Sequence, residues 1–178
     1  GAGPVRRSLC AELAALCARN EAARLMRLAP VALALLFVFS ACAQADESEV
    51  IVETRDGVRH GFTVELALTP EEQSRGLMYR TALGEESGML FFYPSCTSAS
   101  FWMMNTLIPL DMIFIEADGR IARIAEMTVP ETLDVHESGV PVNGVLEVKG
   151  GLAERLGIEE GDFVRHPWFG EGGEATCG

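Results

Sequence analysis

The sequence predicts a mainly β domain, a small β-sandwich or partly closed barrel carrying two short helices. Three observations point there. Residues 50–166 break into about eight short β-prone runs separated by turn signals such as Asp56-Gly57 and Asp118-Gly119. Within that stretch helix signals occur at two places, Thr69-Pro70-Glu71-Glu72 and residues 152–156. No internal repeat or low-complexity block intervenes before a Gly-rich tail that begins at Pro167.

Taken in order, residues 50–54 and 61–68 flank Arg55-Asp56-Gly57-Val58 and read as a hairpin. In the second run Phe62, Val64, Leu66 and Leu68 fall at period two, which marks one buried and one wetter face. Thr69 can cap a helix, Pro70 suits its first position, and Glu72 closes a capping box; Gly76 then interrupts it. Met89-Leu90-Phe91-Phe92-Tyr93 reads as a continuous apolar strand ended by Pro94. Residues 101–104 read as a strand that turns at Asn105-Thr106 into another at 110–116. Asp118-Gly119 makes a second hairpin, with 121–129 returning, and 130–141 is an irregular acidic loop. A strand at 142–148, a helical turn or two at 152–156 stopped by Gly157, and a strand at 162–165 complete the domain.

The chain has 178 residues and 48% hydrophobic content, enough for a core without disulfides or metals. Its charge of −12 is unevenly placed. Residues 1–42 carry five Arg and two Glu, or +3, which leaves −15 on residues 43–178. Such a domain repels a phosphate backbone, so nucleic acid is not expected as a partner.

Met26-Arg27, the apolar run 28–39 and Ser40-Ala41-Cys42-Ala43-Gln44 have the order of a secretory signal. The apolar run falls short of the roughly 20 residues that span a bilayer as a permanent helix. Two cleavages compete. Ala41-Cys42-Ala43 would be cut after Ala43 to free a soluble product, whereas Ser40-Ala41-Cys42 resembles a lipobox that would leave Cys42 as a lipidated first residue. Phe39 stands where a lipobox usually has Leu. The expected organisation is therefore a leader and signal peptide over 1–43 with a start at Met26, a linker at 44–49, one β-rich domain at 50–166 and a flexible tail at 167–178. Residues 1–25 read as an upstream start-codon choice or an extended basic leader. The expected location is periplasmic or extracellular, with membrane contact limited to the signal peptide or a lipid anchor at Cys42.

Polar residues set inside apolar motifs are the informative ones. Asp111 lies between Leu110 and Met112, Glu147 between Leu146 and Val148, Arg80 follows a hydrophobic run, and Asn105 holds a corner. A buried carboxylate must be paired or neutralised, so Arg80 is expected to contact Asp111 or Glu147, as a structural ion pair or as part of a binding cleft. Alternation places Trp102 and Met104 on one face and Phe101 and Met103 on the other; coverage of both faces is the simpler expectation, and an exposed Trp or Met would mark a binding surface. Methionines 78, 89, 103, 104 and 112 sit within apolar motifs and read as core rather than as a Cu(I) site, and His60, His136 and His166 lack ligand spacing, so neither a metal nor another cofactor is expected. Cys96 could pair with Cys177 in an oxidising compartment.

Five ordered motifs carry a resemblance. They are Gly76-Leu77-Met78-Tyr79-Arg80, Gly88-Met89-Leu90-Phe91-Phe92, Phe101-Trp102-Met103-Met104-Asn105-Thr106, Ile108-Pro109-Leu110-Asp111 and Val145-Leu146-Glu147. Together they resemble the family called domain of unknown function 192, over roughly residues 50–166. The resemblance implies a compact, jelly-roll-like β fold that is often exported in bacteria, and it brings no established activity. Met104 departs from the family pattern, which usually has Lys there. Three functions remain in view: a non-enzymatic module that binds a small molecule, an envelope component or a protein through Arg80, Trp102, Asn105, Asp111 and Glu147; a hydrolase or lyase using Asp111 and Glu147 as acid and base; and a structural envelope protein.

Overall fold

The structure is a computed structural model that describes residues 48–170. The leader with Cys42 and Ala43, most of the linker, and residues 171–178 lie outside the described residues.

Strands β1 (Glu49–Glu53) and β2 (Arg59–Ala67) pair antiparallel around Gly57, whose φ of 81° is the left-handed turn conformation that Asp-Gly signals. Helix α1 (Pro70–Arg75) begins with the full capping box between Thr69 and Glu72 and ends at Gly76. A crossover through α1 then leads to β3 (Ser87–Thr97), which pairs parallel to β2. A parallel pair needs such a long connection, and this one lies across the sheet face. After β4 (Ser100–Phe101) the chain forms β5 (Leu110–Ile115), β6 (Ile121–Ala125), β7 (His136–Glu137), β8 (Val142–Lys149), α2 (Leu152–Leu156) and β9 (Phe163–Arg165).

Seven strands form one sheet in the order β6-β5-β8-β3-β2-β1-β9, and β4 and β7 form a separate small ribbon. The large sheet curls until its edges meet. Ile121 donates its N–H to Asp162 C=O at 2.8 Å, and Val164 donates to Gly119 C=O at 2.7 Å. The result is the partly closed barrel with two short helices that the strand pattern predicts.

Two apolar layers follow from the alternation of side chains. Val50, Phe62, Leu90, Ile113, Leu146 and Val164 fill the concave side. Leu77, Met89, Phe91, Met103, Met112 and Val145 form a second layer on the other side of β3, β5 and β8. Those three strands are covered on both faces, which is why they read as continuous apolar runs.

Several expectations need correction. The strand expected at 101–104 is the two residues Ser100–Phe101, paired with β7 and not with β5; Trp102 and Met103 are irregular and Met104-Asn105 form a turn. Pro94 does not end β3; a register irregularity between Phe92 and Thr97 absorbs it, and the missing N–H is tolerated there. The strand after Asp118-Gly119 stops at Ala125, because Met127 takes a φ of 47°. In β2, Ala67 is buried in the second layer while Leu68 is exposed. The described start of the expected tail, residues 167–170, packs down: Trp168 and Phe169 are buried, and the Trp168 ring lies 4.5 Å from that of Phe92. Gly144 makes room for this, since a Cβ there would come within 2.6 Å of Phe169.

Candidate functional site

The sheet register decides what the two buried carboxylates can do. Glu147 is the cross-strand partner of Met89 and Met112, and Val145 of the same strand lies in the second apolar layer, so Glu147 points to that side. Asp111 shares its face with Ile113 and Ile115 of the concave core. The two carboxylates leave the sheet in opposite directions and cannot work on one ligand as an acid and base pair.

Asp111 is fully buried and satisfied by backbone. Its Oδ1 accepts from the N–H groups of Met127 at 2.7 Å and Gly151 at 2.9 Å, and its Oδ2 accepts from Ala153 at 2.8 Å. It thereby ties β5 to the start of α2 and to the turn after β6. Charge-assisted bonds of this kind are what a buried carboxylate requires, and no arginine is needed. Arg80 is elsewhere: its Nη2 donates to Glu65 Oε2 at 2.6 Å, both side chains being about half exposed. The expected contact of Arg80 with Asp111 or Glu147 is therefore absent, because Arg80 follows the turn after Gly76 and emerges on the solvent side of β2.

Glu147 has no such support. It is 4% exposed, and its Oε2 has no hydrogen-bond partner among the described residues. Burial pushes its carboxyl up to about 8. The carboxyl belongs to the wall of a cavity of about 200 Å³. One side of that cavity is α1 and its end, with Gln73, Arg75 and Gly76; another is β3, with Phe91 and Tyr93; the third is the segment that holds Ser100, Phe101, Trp102 and Thr106. A Cβ at Gly76 would sit 3.9 Å from Glu147 Oε2 and 3.3 Å from Phe91, so the bare backbone there is part of the cavity's shape. Tyr93 is pushed up to about 12, chiefly by burial and secondarily by the negative charge Glu147 can carry, which places the phenol within electrostatic reach of the carboxyl.

Local backbone explains how the third wall is held. Asn105 adopts a φ of 57°, a conformation that Asn tolerates better than most residues. Its carbonyl accepts from Tyr79 N–H at 2.8 Å, and its amide lies 3.8 Å from Met78 Sδ, so the loop after α1 and the loop after β4 are locked together. Met103 is buried beneath them, with the Thr128 hydroxyl 3.2 Å from its sulfur, while Trp102 is 52% exposed. The in-out alternation over residues 101–104 persists without a strand, and the covering of both faces expected from the sequence gives way to an outward Trp102 and Met104.

Of the five residues singled out from sequence, Trp102 and Glu147 meet in the cavity, Asn105 shapes its wall, and Arg80 and Asp111 lie away from it. Gln73, Arg75, Tyr93, Ser100 and Thr106 were missed. Tyr93 had a signal, since it follows Phe91 at period two; Gln73 and Arg75 come from the crossover helix, and Ser100 and Thr106 from β4 and the loop after it. Cys96 is disulfide-bonded, and Cys177, the partner weighed from sequence, lies outside the described residues.

No curated protein matches the chain. Among solved structures, a protein of unknown function from Novosphingobium aromaticivorans DSM 12444 is 48% identical, with a TM-score of 0.63 over 66% of this chain and 83% of that one. A protein from Sinorhizobium meliloti 1021, described as a candidate transcription regulator, is 39% identical, with a TM-score of 0.66 over 68% of this chain and 95% of that one. The family profile DUF192, described as Uncharacterized ACR, COG1430, matches residues 51–166, and the chain belongs to that family.

Proposed function

We propose that this protein is an exported, non-enzymatic binding module that holds a small molecule in the Glu147 cavity. One observation carries the reading: Glu147, whose buried carboxyl has an oxygen with no hydrogen-bond partner among the described residues, lines a cavity with aromatic walls. An unsatisfied buried polar group costs about 1–3 kcal/mol, and a ligand that bonds to it recovers that cost on binding. At about 200 Å³ the cavity lies below the ~300 Å³ at which drug-sized pockets begin, so the ligand is compact. Trp102, exposed at the same cavity, supplies a ring that a bound molecule would cover.

The signal-like order of residues 26–44 supports export, with the soluble product or the Cys42-anchored form as the two end states. The regulator description of the Sinorhizobium protein is not carried over, because a charge of −15 on residues 43–178 opposes contact with nucleic acid.

The test is a thermal-shift screen of compact metabolites against the wild type, with each hit repeated on Trp102→Ala and Glu147→Gln. A hit whose shift disappears in both variants supports the proposal. If no compound binds, or every hit is indifferent to both substitutions, the proposal fails.

A further inference from the structure

Resting on that binding reading, we infer that the ligand is a small organic ammonium ion, seated with its cationic head against Glu147 and its alkyl groups against the aromatic walls. Four rings line the cavity: Phe91, Tyr93, Phe101 and Trp102. Phe91 and Phe101 meet edge to face with centroids 5.0 Å apart, so neither ring can turn freely without disturbing the other. Aromatic rings beside one carboxyl are surroundings that suit a poorly hydrated cation, through the electron-rich rings and the negative charge Glu147 takes on when the cation displaces its proton.

Other ligand charges fit less well. An anion would meet one exposed guanidinium, Arg75, at the cavity wall, and around it a domain region of −15. A hard divalent metal requires about six oxygen ligands, and Glu147 is the one carboxylate among the described residues lining the cavity. An ammonium ion needs one counter-charge and apolar surface, and both are present. The acidic field of the domain also raises the local concentration of cations.

On β2, Glu65 lies two strands over on the same face as Glu147 and is held by Arg80 at 2.6 Å, and on β7 His136 is the cross-strand partner of Phe101. Tyr93 on β3 has a phenol held up to about 12 and stays neutral over the working range. Arg75 at the end of α1 is exposed, so solvent screens its charge. On β5 the neighbour is Met112, and the segment after β3 contributes Ser100, Phe101, Trp102 and Thr106, none of which titrates there. Glu147 is thus the group whose ionisation sets cation binding. In the free protein its carboxyl stays protonated to about pH 8. Ammonium binding pulls the equilibrium to the ionised form and releases that proton to solvent.

Calorimetric titration of the chain with choline, and with its uncharged isostere 3,3-dimethyl-1-butanol, tests the assignment. Choline affinity is expected to rise roughly tenfold per pH unit from pH 6 to 8 and then level, with about one proton released per binding event at pH 7. The neutral isostere should bind more weakly and without that rise. Glu147→Gln should lose at least tenfold in choline affinity together with the pH dependence. Trp102→Ala, at an exposed position where folding is not at stake, should lose roughly 3- to 30-fold. Equal, pH-independent binding of choline and the isostere would overturn the ammonium assignment and leave the binding site standing. Failure of choline to bind also overturns the assignment, while the metabolite screen decides separately whether the cavity binds anything.

Discussion

Replacing Glu147 by Gln removes one titratable proton and keeps the side chain's size. A carboxyl with an ordinary value of 4.5 that burial raises to about 8 binds more protons in the folded than in the unfolded state throughout that window. The contribution of Glu147 to stability is therefore fully present below about pH 4.5, falls as pH rises, and becomes level above about pH 8. The slope approaches 1.4 kcal/mol per pH unit, and the whole loss is on the order of 5 kcal/mol. That is a large fraction of the 5–15 kcal/mol typical of a domain. The Gln variant carries no such slope at this site. Urea unfolding of both proteins at pH 5, 6, 7, 8 and 9 should show them within about 1 kcal/mol of each other at pH 5. By pH 9 the variant should be the more stable by several kcal/mol. Parallel pH profiles would refute the reasoning, since they would mean that Glu147 ionises in the folded state at no cost. A saturating cation should flatten the wild-type profile by supplying the missing counter-charge.

Three further outcomes follow from the packing. Asp111→Ala leaves three buried backbone N–H groups without their acceptor and should cost about 3–5 kcal/mol by urea unfolding, whereas Arg80→Met breaks a half-exposed pair and should cost under ~1 kcal/mol. Gly76→Ala should both destabilise, by about 1 kcal/mol or more through its positive φ, and weaken any ligand of the Glu147 cavity; calorimetry on the folded variant separates the two effects. Trp168→Ala should cost about 3–5 kcal/mol, as expected for a large ring removed from a core, and a change below 0.5 kcal/mol would return that segment to the status of a loose tail.

Local signals were enough for the mainly β class, the hairpin turns at Gly57 and Gly119, the capping box at Thr69 and the stop of α2 at Gly157. Each depends on neighbours a few residues away, through φ preference, a side chain reaching its own backbone, or alternation along a strand. The sequence also marked Asp111 and Glu147 as polar residues in apolar surroundings. Tertiary structure alone decided their fates. Both sit in strands that are covered on each side, so alternation offered no inward face by which to sort them. Register across β5 and β8 sent Asp111 to the concave core, where three amides hold it, and Glu147 to the opposite face beneath α1 and the Trp102 segment. The crossover between β2 and β3 is what brings Gly76 and Arg75 to that carboxyl. A pairing between distant parts of a chain leaves no local signature, and that is why the cavity became legible only once the sheet was assembled.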